Sequence, residues 1–219
     1  NKINKINSIK SIKNKVMIDV DGKIYVCDYL IGADGANSIV RKLSSNFEYK
    51  NPVFAYEGLV EKKDTNYSTE FIFNKHGYAW VFLKDGHYNV GIGNLVSTSK
   101  SKNVTKKDLR SFVSDKFGST KISNITAFPI GTEGDNYRVQ NNIFLVGDAA
   151  GLAESLLGEG IYNAVLSGKY AGSSINESYN NSVSAKLNYN EFLSHLTNEL
   201  KLYRKGAKIL YGFPMISYW

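Results

Sequence analysis

Two places in the sequence set a lone carboxylate among glycines at the end of an apolar run. The first is Leu30-Ile31-Gly32-Ala33-Asp34-Gly35-Ala36-Asn37-Ser38-Ile39-Val40-Arg41. Glycine lets backbone approach a ligand closely, so Gly32 and Gly35 leave room beside Asp34, which could accept a hydrogen bond from a sugar hydroxyl. Ser38 could cap the turn that follows. Taken alone, the segment is equally well a structural turn. The second is Phe144-Leu145-Val146-Gly147-Asp148-Ala149-Ala150-Gly151, followed by Leu157-Gly158-Glu159-Gly160-Ile161. Here an apolar run delivers Asp148 at its carboxyl end, where open α/β folds place ligands. Gly158, Glu159 and Gly160 then open a helix at Ile161, and the N–H groups of a helix N-terminus stabilise an anion. The competing reading is a Gly-rich helix cap without a ligand.

The elements that must position these residues can be read from periodicity. Val16–Cys27 reads as a β-hairpin around Asp21-Gly22, and Tyr29–Ile31 as a buried strand that stops at Gly32. Val53–Glu61, Thr69–Phe73, Tyr78–Leu83 and Tyr88–Leu95 are rich in aromatic and β-branched residues and read as an antiparallel sheet, with a second tight turn at Asp85-Gly86. Tyr78, Trp80 and Phe82 alternate on one face, either as plain core or as a cavity wall. Ser97–Lys107 is lysine-rich and reads as an exposed loop. Asp108–Phe117 reads as a helix buried through Leu109, Phe112, Val113 and Phe117. Ile122–Ile130 and Asn142–Val146 are further strands. From Glu159 the period changes to that of a helix, with Ile161, Ala164, Val165, Gly168, Ala171, Gly172 and Ile175 on its packed face. A last helix spans about 185–204, with Leu193, Leu196, Leu200 and Tyr203 in register. The stretch Ile209–Ile216 is apolar and reads as core in preference to a surface for lipid or a partner.

Together the two carboxylate elements resemble the DG and GD motifs of glutathione-reductase-type FAD proteins, in the branch of p-hydroxybenzoate hydroxylase. Within that branch the chain resembles geranylgeranyl reductases. Their GADGxxSxVR element reads here as Gly32–Arg41. Their GYxWxFPK element with a following VGxG reads as Gly77–Lys84 with Val90-Gly91-Ile92-Gly93. Their GDAAG…GEGIxxAxxSG element reads as Gly147–Gly168. The match covers most of residues 16–175, with two departures: Leu83 and Ser155 stand where the family has proline.

The resemblance implies FAD as cofactor. It places Asp148 on the ribityl chain, Gly147 beside it, and Gly158, Glu159, Gly160 and Ile161 at a helix start beneath the isoalloxazine. It places Gly32, Asp34 and Gly35 near the ribose and pyrophosphate, and Tyr78, Trp80 and Phe82 near the substrate. It implies an α/β (α+β mixed) fold with two parts: a partial glutathione-reductase-type FAD-binding layer, and a mostly antiparallel substrate-domain sheet. The FAD-binding layer would take residues 1–50 and 130–180, the substrate domain 51–129, and a C-terminal helical segment 181–219. The implied activity is reduction of C=C bonds of an isoprenoid or similar lipid, drawing on NAD(P)H or a ferredoxin-like donor. Two alternatives stay open: a flavoprotein monooxygenase or halogenase-like enzyme acting on an aromatic compound, and a fragment unable to hold FAD. The last arises because no strand–GxGxxG–helix unit precedes residue 16. The chain is therefore expected to be a C-terminal portion that lacks about 100 or more residues.

Composition narrows the remaining classes. Hydrophobic residues make up 42% and aromatics 13%, enough for a core. No run reaches the roughly 18 apolar residues of a membrane helix, and residues 1–15 have no signal-peptide core. A cytoplasmic protein is expected, with peripheral membrane contact left open by a net charge of +7. Four arginines and scattered lysines do not make a nucleic-acid surface. His76, His87 and His195 lack partners at metal-ligand spacing, so no metal is expected. Cys27, the one cysteine, reads as a small buried hydrophobe. No GxSxG or Ser-His-Asp set marks a nucleophile, and no catalytic residue is assigned.

Overall fold

The computed structural model describes residues 5–45, 47–48, 53–62, 68–74, 77–95, 103–119, 121–181 and 183–212. Much of the lysine-rich loop, His76 and the apolar end beyond Gly212 lie outside them. The chain divides into two compact units. One comprises Asn1–Lys50, Gly131–Glu154 and Glu159–Leu202; the other comprises Asn51–Ile130, Ser155–Gly158 and Tyr203–Trp219.

The first unit begins with an antiparallel sheet of β1 (Ile6–Ile12), β2 (Lys15–Val20) and β3 (Lys23–Cys27). The β2–β3 hairpin turns at Asp21-Gly22, with Asp21 at φ 51° and Gly22 at φ 82°. β1 was not expected: Ile6, Ile9 and Ile12 recur every third residue rather than every second. The left-handed pair Lys13-Asn14 folds β1 back onto β2, which buries Ile9 against Val16 and the rest of the core.

β4 (Leu30–Gly32) pairs in parallel with β10 (Ile143–Leu145), Gly32 opposite Leu145. The expectation of a buried strand at 29–31 needs correction, because Ile31 is 39% exposed. Among the described residues this sheet has two strands, and nothing there covers the outer face of Ile31. The buried Tyr137 and Tyr189 clamp β10. The Tyr137 hydroxyl accepts from Leu145 N at 2.6 Å, and the Tyr189 hydroxyl donates to Leu145 O at 3.0 Å. Burial pushes both phenols well above the ordinary tyrosine range.

After α1 (Ile39–Ser44), the first unit holds α3 (Ile161–Asn181) and most of α4 (Ala185–Gly212). The packed face of α3 is only partly the expected one. Ala171 is buried and Ile175 packs against the core as expected, but Ile161 is 80% exposed and Val165 69%, while Asn163, Ser167 and Ser174 are buried. Polar side chains can face inward there because backbone groups receive them. Asn163 Nδ2 donates to Leu152 O at 2.9 Å, and Ser167 Oγ accepts from Gly147 N at 3.0 Å. α4 buries Leu193, Leu196 and Leu200 as expected. It leaves Tyr203 47% exposed and runs on to Gly212, burying Ala207 and Tyr211 in the second unit.

The second unit is a five-stranded sheet in the order β6-β7-β8-β5-β9. Its strands are β5 (Val53–Glu61), β6 (Glu70–Asn74), β7 (Gly77–Lys84), β8 (His87–Asn94) and β9 (Ser123–Ile130). One face carries Val60, Ala79, Val81, Tyr88, Val90 and Ile92, which pack against Leu109 and Val113 of α2 (Lys106–Phe117). α2 starts two residues before the expected Asp108. Thr105 and Asp108 form a capping box, each side chain receiving the other's backbone N–H. Alternation along the strands sends Tyr78, Trp80 and Phe82 to the opposite face. Leu83, at the departure from the proline pattern, points away from that trio and is 45% exposed.

Candidate functional site: an Asp-Gly edge and an aromatic cavity

Because β4 and β10 run parallel, the two carboxylate elements leave the sheet from the same, carboxyl-terminal edge. Gly32 is confined on arrival: a Cβ there would lie 2.7 Å from Leu145 Cδ2 and 2.8 Å from Val40 Cβ. Asp34 bonds first to its own helix. Its Oδ2 accepts from Ile39 N at 2.7 Å and Val40 N at 3.1 Å, while Ser38 Oγ accepts from Arg41 N at 2.9 Å. Gly35 sits at φ 74° beside open space. Between the two elements lies Arg41, only 4% exposed. It donates to Ala36 O at 2.6 Å and to Ala149 O at 2.9 Å, tying one turn to the other. Its type and place inside the first motif were the only available signal; that an arginine would be buried as a brace was not readable from spacing.

The second element turns at Gly147 (φ 54°), where a Cβ would meet Ala164 Cβ at 2.9 Å. Asp148 is half-buried. Its Oδ2 accepts from Gly131 N at 3.2 Å, and its Oδ1 would stand 3.0 Å from a Cβ at Gly160. Burial raises its carboxyl above the usual carboxylate range, and the Gly131 hydrogen bond opposes that rise. The approach to α3 closes on itself. Glu154 N donates to Glu159 O at 2.8 Å, and Glu159 N to Glu154 Oε1 at 3.0 Å. Glu159 Oε1 accepts from Tyr162 N at 2.9 Å and so caps the helix.

These residues fit a flavin's sugar-alcohol and phosphate chain. Glycines stand where a side chain would clash, two aspartates lie on one sheet edge, and a helix of 21 residues starts beside Asp148.

In the second unit a cavity of about 350 Å³ opens on the aromatic face of the sheet. Tyr78, Trp80 and Phe82 line it together with Ala55, Glu57, Lys84 and Asn89. Gly158 lines it too, at φ 74°, where a Cβ would lie 3.1 Å from Leu95 Cδ2. The segment before Gly158 is pinned by two tyrosines: Tyr78 Oη donates to Leu157 O at 2.6 Å, and Tyr211 Oη donates to Leu156 O. The VGxG glycines have a purpose here. The indole of Trp80 lies against Gly91, and Gly93 lines the cavity with room for no more than an ordinary contact to Ala55 and Trp80. Among the described residues no cluster suits a metal ion.

Comparison with known proteins decides the cofactor. The family model described as "FAD binding domain" matches residues 10–189. The chain belongs to the FAD-binding domain family. Among curated relatives, it is 30% identical over 210 residues to digeranylgeranylglycerophospholipid reductase 2 of Methanosphaera stadtmanae, covering 88% of this chain and 51% of the relative. It is 33% identical over 168 residues to geranylgeranyl diphosphate reductase of Synechocystis, covering 73% and 41%. The chain thus spans about half the length of the curated relatives it matches. A geranylgeranyl bacteriochlorophyll reductase-like structure from Thermoplasma acidophilum shares the fold at TM-score 0.64 and 23% identity, covering 93% of this chain and 53% of that one. This FAD-binding chain carries the expected geranylgeranyl reductase motifs in order.

Proposed function

We propose that the protein containing this chain is an FAD-dependent reductase of C=C bonds in an isoprenoid lipid. One observation carries the reading: an FAD-binding family chain also holds a cavity walled by Tyr78, Trp80 and Phe82, with Gly93 in its lining and the Trp80 indole seated on Gly91. An apolar chain gains from leaving water for such a wall, at about 25 cal/mol per Å² buried. When bound and reduced, FAD supplies the hydride for the chemistry. The chain's own residues bind and orient. Asp148 accepts from the ribityl hydroxyls, Gly147 and Gly160 allow close approach, and Arg41 holds the two turns at one spacing. Trp80 and its neighbours exclude water around the substrate. NAD(P)H or a ferredoxin-like protein supplies the electrons. A lipid substrate brings the protein to a membrane surface; no helix among the described residues is long and apolar enough to cross one.

Mass spectrometry after single turnover tests this. The dithionite-reduced, FAD-loaded full-length protein is mixed anaerobically with a geranylgeranyl lipid. The reading expects product heavier by two hydrogens per reduced bond and reoxidised flavin. Unchanged lipid, with NAD(P)H oxidation stimulated by an aromatic compound in air, would favour a monooxygenase instead.

A further inference from the structure

The aromatic cavity contains a hydrogen-bond chain with one unused end. Trp80 Nε1 donates to Asn89 Oδ1 at 2.8 Å, and Asn89 Nδ2 donates to Glu57 Oε2 at 3.2 Å. An indole N–H only donates and an ionised carboxylate only accepts, so the Asn89 amide is oriented from both sides. Glu57 Oε1 has no hydrogen-bond partner among the described residues. Glu57 lies at mid-strand on β5, opposite Gly91, and is half-buried against the cavity. Lys84 is the cation of the cavity lining. It ends β7 and is exposed, so water and salt screen its charge more than that of Glu57.

We propose that Glu57 determines which polar group this cavity accepts: its unengaged oxygen takes a hydrogen bond from a hydroxyl of the ligand. The cavity therefore selects an isoprenoid carrying a neutral hydroxyl over the same chain ending in an anion. An anion would bring like charge against a carboxylate that water only partly reaches, and would leave Oε1 without a donor. The inference rests on the isoprenoid reading above and deepens it.

The test measures equilibrium binding of geranylgeraniol and of geranylgeranyl diphosphate to the FAD-loaded full-length protein. The wild type is expected to bind the alcohol at least about tenfold more tightly. Glu57→Gln keeps one oxygen to accept from Asn89 and puts an amide NH2 in place of Oε1, which can donate to the hydroxyl oxygen, and it removes the charge. It should hold alcohol affinity within about threefold and tighten diphosphate binding about tenfold. Glu57→Leu should lose the alcohol preference altogether. Flavin content and the far-ultraviolet circular dichroism spectrum, unchanged in Glu57→Gln, verify an intact site. Equal binding of the two ligands by the wild type overturns the inference and leaves the isoprenoid reading standing, as does an undiminished preference in Glu57→Gln. Binding of neither ligand overturns both.

Discussion

Gly91→Ala adds one methyl group directly against the Trp80 indole that walls the aromatic cavity. Its Cβ would fall 2.0 Å from Trp80 Cζ2, 2.3 Å from Cε2 and 2.6 Å from Cη2. Carbon atoms settle at about 3.5–4.0 Å, so the indole must retreat by about 1.5 Å. Trp80 is only 8% exposed and is anchored to Asn89 at 2.8 Å, so it has little room to yield. Overpacking of this kind costs about 1–3 kcal/mol. Losing the Asn89 bond adds about 1 kcal/mol, and the stiffer unfolded chain returns about 0.4–1 kcal/mol. The expected net loss is about 2 kcal/mol. Gly93→Ala is the control, because its Cβ would meet Ala55 Cβ at 3.7 Å and Trp80 Cζ3 at 3.8 Å, ordinary contacts. It should fall within about 0.5 kcal/mol of the wild type. Urea unfolding followed by fluorescence excited at tryptophan reads both, in a Trp219→Phe background that leaves Trp80 as this chain's one tryptophan. Gly91→Ala unfolding at the wild-type midpoint, with unshifted Trp80 emission, would refute the packing account of the VGxG element.

Three further outcomes are expected. Asp148 has a carboxyl raised by burial, so its stabilising contribution is fullest below the ordinary value of 3.8 and is lost as pH rises through the raised value. Thermal scans of the FAD-free protein should therefore show Asp148→Asn more stable than wild type at neutral pH, the gap closing toward pH about 4. Arg41→Lys keeps the charge but cannot fork to both Ala36 O and Ala149 O; denaturant titration should show a loss of about 1.5–3 kcal/mol. Ser167→Ala strips the acceptor from the buried Gly147 N–H, and the same titration should show about 1–3 kcal/mol lost.

The sequence spoke clearly where local chemistry alone decides. Asp21-Gly22 and Asp85-Gly86 both close hairpins, and the alternation of 53–94 gives one sheet with Tyr78, Trp80 and Phe82 on a common face. It misled where tertiary partners override pattern. The apolar Ile161 and Val165 lie exposed on α3 because Asn163 and Ser167 are claimed by backbone groups of distant turns. No periodicity encodes those partners. β1 was invisible because Ile6, Ile9 and Ile12 have the wrong period and the turn at Lys13-Asn14 carries an unusual left-handed lysine. In the candidate site, the two aspartates and their glycines stood out by type and spacing. Glu57 and Asn89 did not, since they come from β5 and β8 and meet Trp80 only through sheet register.

The central claim is that the common edge of β4 and β10 holds FAD through Asp148. Fluorescence titration of the full-length protein, stripped of flavin, against FAD tests it directly in wild type and Asp148→Ala. Loss of a charged hydrogen bond, about 1.5–3 kcal/mol, predicts affinity weakened about ten- to a hundredfold. Equal affinity in the two proteins would contradict the placement of the cofactor at Asp148.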